Sequence, residues 1–103
     1  MFDIWKAKRF EARISLVMPV IIEGDDIPND PFREDTTTEN VSKSGACVVA
    51  TRQLKLGALI TVTACQGKFR GQAVAKGIWI DDYDNKTKLG IRFSGPIQNW
   101  VVN

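Results

Sequence analysis

The chain has 103 residues, 44% of them apolar and 25% charged, with a net charge of +2. That length folds as one domain around one core, and the composition excludes disorder, collagen-like repeats and low complexity. No apolar run approaches a bilayer span, and the N-terminal MFDIWKAKRF carries charges where a signal peptide needs apolar residues, so a cytoplasmic protein without membrane insertion is expected.

In chain order, residues 1–13 hold little apolar content to anchor them and are expected to form a mobile arm. ISLVMPVII, residues 14–22, is rich in β-branched residues and predicts the first strand, with Pro19 marking an edge or a bend. EGDDIPNDPFRED, residues 23–35, combines glycine, prolines and clustered acids and predicts a long exposed loop. Strand character resumes over residues 36–41, is broken by SKSG, and returns in ACVVAT, residues 46–51. RQLKLG connects to a fourth strand, ALITVTAC, after which Gln66 and Gly67 form a hairpin turn. KFRGQAVAKGIWI predicts a long fifth strand whose glycines permit bulges, DDYDNK a turn, and KLGIRF a sixth strand. The tail, residues 96–103, is at most a short helical turn or a cover for one barrel end. Short strands at this spacing without a convincing helix predict an all-β fold, a six-stranded antiparallel barrel over residues 14–95.

The residue inventory argues against catalysis. Histidine is absent, removing the commonest general base and a favoured metal ligand, and Asp81, Asp82 and Asp84 read as a solvated turn. No metal site and no cofactor are expected. The two cysteines, Cys47 and Cys65, sit in apolar surroundings and are expected to be buried packing residues. Charge is segregated: residues 23–39 carry seven acids against Arg33, whereas residues 40–80 carry Lys43, Arg52, Lys55, Lys68, Arg70, Lys76 and no acid. Such clustering suits an anionic ligand, and equally a basic barrel face opposing its own acidic segment.

Two patterns lie beside the predicted strands. RFEAR places Arg9 and Arg13 four residues apart directly before the first strand, and NVSKSG places Asn40, Ser42 and Gly45 between the second and third. This RxxxR and [D/N]xSxxG pair, with LKLG before the fourth strand and LGIRF in the last, resembles the PilZ domain family over nearly the whole chain. Asparagine at position 40 and Ser44 depart mildly from the commonest family residues. The resemblance implies a PilZ-type barrel that binds cyclic di-GMP and passes a change in its N-terminal arm to a downstream protein.

The side chains suit that ligand on physical grounds. An arginine fork pairs with phosphate or with guanine O6 and N7, and stacks on a purine. Arg9 and Arg13 are therefore the primary binding candidates. Asn40 offers donor and acceptor, Ser42 a short hydroxyl, and Gly45 an unusual torsion or a close approach; alternatively these three simply stabilise a turn. Trp79 is placed to stack on a base or to pack in the barrel, and Lys8 to contact phosphate or to be solvated. Trp5, Phe10 and Trp100 read as packing or closure residues. The competing functions are a small barrel for single-stranded nucleic acid, suggested by the basic stretch, and a PilZ-like interaction domain without ligand.

Overall fold

Apolar residues at every second position build the sheet, and the computed structural model describes residues 12–102. Seven strands occur: β1 (Ile14–Ser15), β2 (Pro19–Asp25), β3 (Pro31–Val41), β4 (Gly45–Ala50), β5 (Leu59–Ala64), β6 (Arg70–Ile80) and β7 (Thr87–Ser94). All pairings are antiparallel, β3 to β2, β2 to β5, β5 to β6, β6 to β7, β7 to β4, and β4 back to β3. That circuit closes a six-stranded barrel and leaves only β1 as an addition, laid along the C-terminal end of β3.

Strand alternation fills the interior. Val20 and Ile22 from β2, Val48 from β4, Ile60 and Val62 from β5, Ala73 and Ala75 from β6, and Leu89 and Ile91 from β7 point inward and are buried. One end is closed by aromatic rings: Phe69, Phe93 and Trp100 lie with centroids 4.6 to 5.0 Å apart. Trp100 thus closes the barrel as expected, but no residue described after β7 is helical, so the tail covers the end as extended chain and bends.

Three expectations change. The predicted first strand is interrupted at residues 16–18, where the chain steps from β1 to β2, and Pro19 opens the second piece. The acidic stretch is mostly a hairpin rather than a long loop. Only residues 26–30 turn, stapled by Asp26, whose backbone N–H donates to the Asp30 carbonyl and whose carboxylate accepts from the Asp30 N–H, both at 2.9 Å. Composition pointed to a loop because the acids are numerous; in the hairpin Glu23, Asp25 and Asp35 take outward strand positions, Asp26 and Asp30 sit in the turn, and Ile22 and Phe32 face the core. Glu23 reaches Arg33 and Arg70, and Glu34 accepts from the Thr51 N–H and hydroxyl. Lastly, Cys47 is buried but Cys65 is exposed, because Ile60, Val62 and Ala64 face inward and the next position turns its side chain out, although its N–H still donates to the Pro19 carbonyl.

Candidate functional site

The site begins at an irregularity in β3. Thr38 and Val41 both face the interior, with no exposure, although strict alternation would send residues three apart to opposite sides. The register shift between Thr38 and Asn40 against β4 resolves this: Glu39 is an extra residue, so Glu39 and Asn40 emerge side by side on the outer surface. Thr38 stabilises the irregular stretch from within, its hydroxyl donating to the Leu16 carbonyl at 2.6 Å and accepting from the Met18 N–H at 3.0 Å. Those two bonds tie the residue 16–18 step to the bulge.

Pairing of Ser15 with Asn40 and Ile14 with Val41 delivers Arg13 to the same outer face. Its Nη1 donates to Asn40 Oδ1 at 2.7 Å, joining the two sequence motifs across 27 residues of chain. Residues opposite one another across antiparallel strands share a face, and the register continues from Asn40 to Cys47 on β4, Gly90 on β7 and Gly77 on β6. Small side chains or none make this row a shallow floor. Its far side is bounded by Trp79, whose ring lies 3.3 Å from where a Cβ on Gly77 would be and 3.5 Å from one on Gly90. Trp79 is 45% exposed, so it sits on the outer surface and not in the barrel.

Charges bracket the floor. Lys88, paired with Trp79 across β6 and β7, is only 2% exposed and places Nζ 2.7 Å from Glu39 Oε2 and 2.8 Å from Asp84 Oδ2. The Asp84 and Glu39 bonds raise the affinity of Lys88 for its proton, and Lys88 in turn holds Asp84 below the usual carboxylate range. Burial pushes the Cys47 thiol up, making it a poor nucleophile at neutral pH. Arg92 is exposed opposite Gly45, adding a cation beside the same face. Among the described residues no histidine, cysteine and carboxylate cluster suits a metal.

Ser42 and Gly45 have a different placement. Both are buried in the β3 to β4 turn, where the Ser42 N–H donates to the Gly45 carbonyl at 2.9 Å and its hydroxyl points to the same oxygen at 3.5 Å. The Trp100 indole N–H donates to the Ser42 carbonyl at 2.8 Å, and the Phe93 N–H to the Ser44 carbonyl at 2.7 Å. A Cβ on Gly45 would collide with the Ile91 carbonyl oxygen, so glycine is required there by the approach of β7 and not by a positive φ. The structure therefore brings Arg13, Asn40 and Trp79 to one surface and sets Ser42 and Gly45 beneath it. Lys8 and Arg9, like Trp5, Phe10 and most of the arm predicted over residues 1–13, lie outside the described residues.

Glu39, Lys88 and Arg92 were missed as site residues. Alternation of Leu89, Ile91 and Phe93 inward already implied that Arg92 faces out, but nothing local announces that Lys88 turns to a carboxylate on β3.

The family model for the PilZ domain matches residues 7–99. The chain belongs to the PilZ domain family. A solved structure of the Bacillus subtilis inhibitor of motility (MotI/DgrA) superposes on this PilZ domain with a TM-score of 0.71 at 20% identity, covering 87% of the present chain and 44% of the other. At that identity the likeness establishes the barrel alone, and the chain spans less than half the length of that protein. No curated protein matches the sequence. No helix among the described residues is long and apolar enough to cross a membrane.

Proposed function

We propose that this PilZ domain is a receptor for cyclic di-GMP, which it takes on the outer face between Arg13 and Trp79 and reports to a downstream protein. The observation that carries this reading is the 2.7 Å bond from Arg13 to Asn40, because it unites the arginine motif and the asparagine motif at one exposed spot. A dianionic dinucleotide fits the chemistry there. Arg13 supplies a planar fork for phosphate or for guanine O6 and N7, Asn40 an amide, Trp79 a stacking face, and the row of Cys47, Gly90 and Gly77 room for a flat base. Arg9, four residues ahead of Arg13, adds the second guanidinium. An arginine to guanine pair is worth about 1 to 3 kcal/mol, so two of them with stacking supply much of the roughly 8 kcal/mol of micromolar binding.

The output follows from connectivity. Leu16, Val17 and Met18 follow Arg13 after the two residues of β1, and with Phe69 and Trp100 they line a groove of about 460 Å³. Trp100 is bonded to Ser42 in the second motif, so ligand pulling on Arg13 is felt at this groove from both sides. Titration calorimetry of the full chain tests the reading. Micromolar or tighter binding is expected, with Arg9→Ala, Arg13→Ala and Asn40→Ala each weakening it tenfold or more while leaving the melting temperature in place. A chain that ignores saturating cyclic di-GMP overturns it.

A further inference from the structure

Arg13 and Asn40 together offer a ligand mostly hydrogen-bond donors. The guanidinium has no acceptor, and Asn40 Oδ1 already accepts from Arg13 Nη1, which leaves the Asn40 NH₂ donors and one oxygen lone pair. The Ser42 hydroxyl is buried and turned toward the Gly45 carbonyl. Such a set satisfies phosphate, or guanine O6 and N7. One shared lone pair does not meet both the N1–H and the 2-amino donors of guanine, and discrimination between bases depends on those being met.

Glu39 supplies the missing acceptor. The bulge in β3 sets it beside Asn40 on the same face, with its side chain 41% exposed. Oε2 is held by Lys88 Nζ at 2.7 Å, and no described residue donates to Oε1. Lys88 is itself buried and anchored from the other side by Asp84 at 2.8 Å, so the carboxylate is aimed and not free to sweep. The ion pair also offsets a negative charge that would otherwise repel a dianion. An amide donor and a carboxylate acceptor side by side match O6 next to N1–H and the 2-amino group on one edge of guanine; adenine presents the reverse order, donor then acceptor.

We propose that Glu39 is the guanine-specificity residue of this site, accepting from the N1–H and 2-amino groups of a base whose O6 meets Asn40, with Lys88 as the positioning residue that aims it. This rests on the cyclic di-GMP reading. The test compares cyclic di-GMP with cyclic di-IMP, whose hypoxanthine keeps O6, N7 and N1–H and lacks only the 2-amino group. Calorimetry of the full wild-type chain is expected to give about tenfold weaker binding of cyclic di-IMP, as suits a hydrogen bond to a charged group. Glu39→Ala binds the two equally, whereas Glu39→Gln, which retains a carbonyl acceptor, keeps a preference for cyclic di-GMP. A general loss of structure would weaken both ligands in proportion and leave their ratio alone. An Ala variant that preserves the wild-type ratio, or a wild type without preference, overturns the assignment of Glu39; a wild type that binds neither dinucleotide overturns the cyclic di-GMP reading itself.

Discussion

Asn40 illustrates how a single side chain is committed before any ligand arrives. Its carbonyl oxygen already accepts from Arg13, which tilts what it offers a ligand toward its NH₂ donors, and this depends on one 2.7 Å contact. Trp79 presents its ring beside two glycines, where a Cβ on Gly77 would crowd it slightly at 3.3 Å and one on Gly90 would only touch it at 3.5 Å. Trp79→Ala is expected to cost about 1 to 3 kcal/mol of dinucleotide binding through lost stacking, measurable by calorimetry, with little change in stability because the ring is half exposed. Gly45 predicts the opposite pattern. Gly45→Ala forces its Cβ onto the Ile91 carbonyl, so β4 and β7 must separate at a cost of about 1 to 3 kcal/mol or more, seen as a fall in the thermal midpoint.

At the level of elements, the decisive feature is the bulge that turns β3 from a regular strand into a platform. It is held on the inner side by Thr38 and on the outer side by Lys88, which links it to the turn between β6 and β7. Asp84 is depressed below its ordinary value of 3.8 by Lys88, so its contribution to stability is complete above that value and is lost as acid protonates it in the fold. Lys88, raised by the same partners, keeps its contribution until strongly alkaline pH. Lys88→Met is therefore expected to be less stable than wild type at pH 7 and to lose less additional stability between pH 4 and pH 2. Denaturant titrations across that range check it; parallel curves for the two proteins would contradict the role given to the triad.

At the scale of the whole molecule, closure of the barrel pairs most charges locally and leaves exposed arginines at the candidate face. The acids of the β2 to β3 hairpin are partly neutralised by Arg33, Arg52 and Arg70, while at the candidate binding face Lys88 is taken up by Glu39 and Asp84 and the exposed cations are Arg13 and Arg92. A ligand with two phosphates contacting that face should show a shallow dependence of affinity on salt, with a logarithmic slope no steeper than roughly −1.4. A barrel tracking a single-stranded nucleic acid through many phosphates would show a much steeper one. Calorimetry at several salt concentrations distinguishes them.

Branched residues in short runs, turn dipeptides and two spaced motifs determined the strand count of the barrel, its all-β class and its family, because each is a local signal repeated often enough to be read along the chain. The acidic hairpin escaped that reading, since composition is a poor guide when charged residues occupy the outer positions of a strand whose inner positions are filled by Ile22 and Phe32. Arg13 and Asn40 were legible as candidates, but their contact was not. Only the folded chain decided that Ser42 and Gly45 lie beneath the surface and that Glu39 stands beside Asn40. Both outcomes depend on how β3, β4 and β7 pair, on one extra residue in one strand, and on a lysine reaching a carboxylate 49 positions away in sequence. Those are relations between elements, and no run of neighbouring residues encodes them.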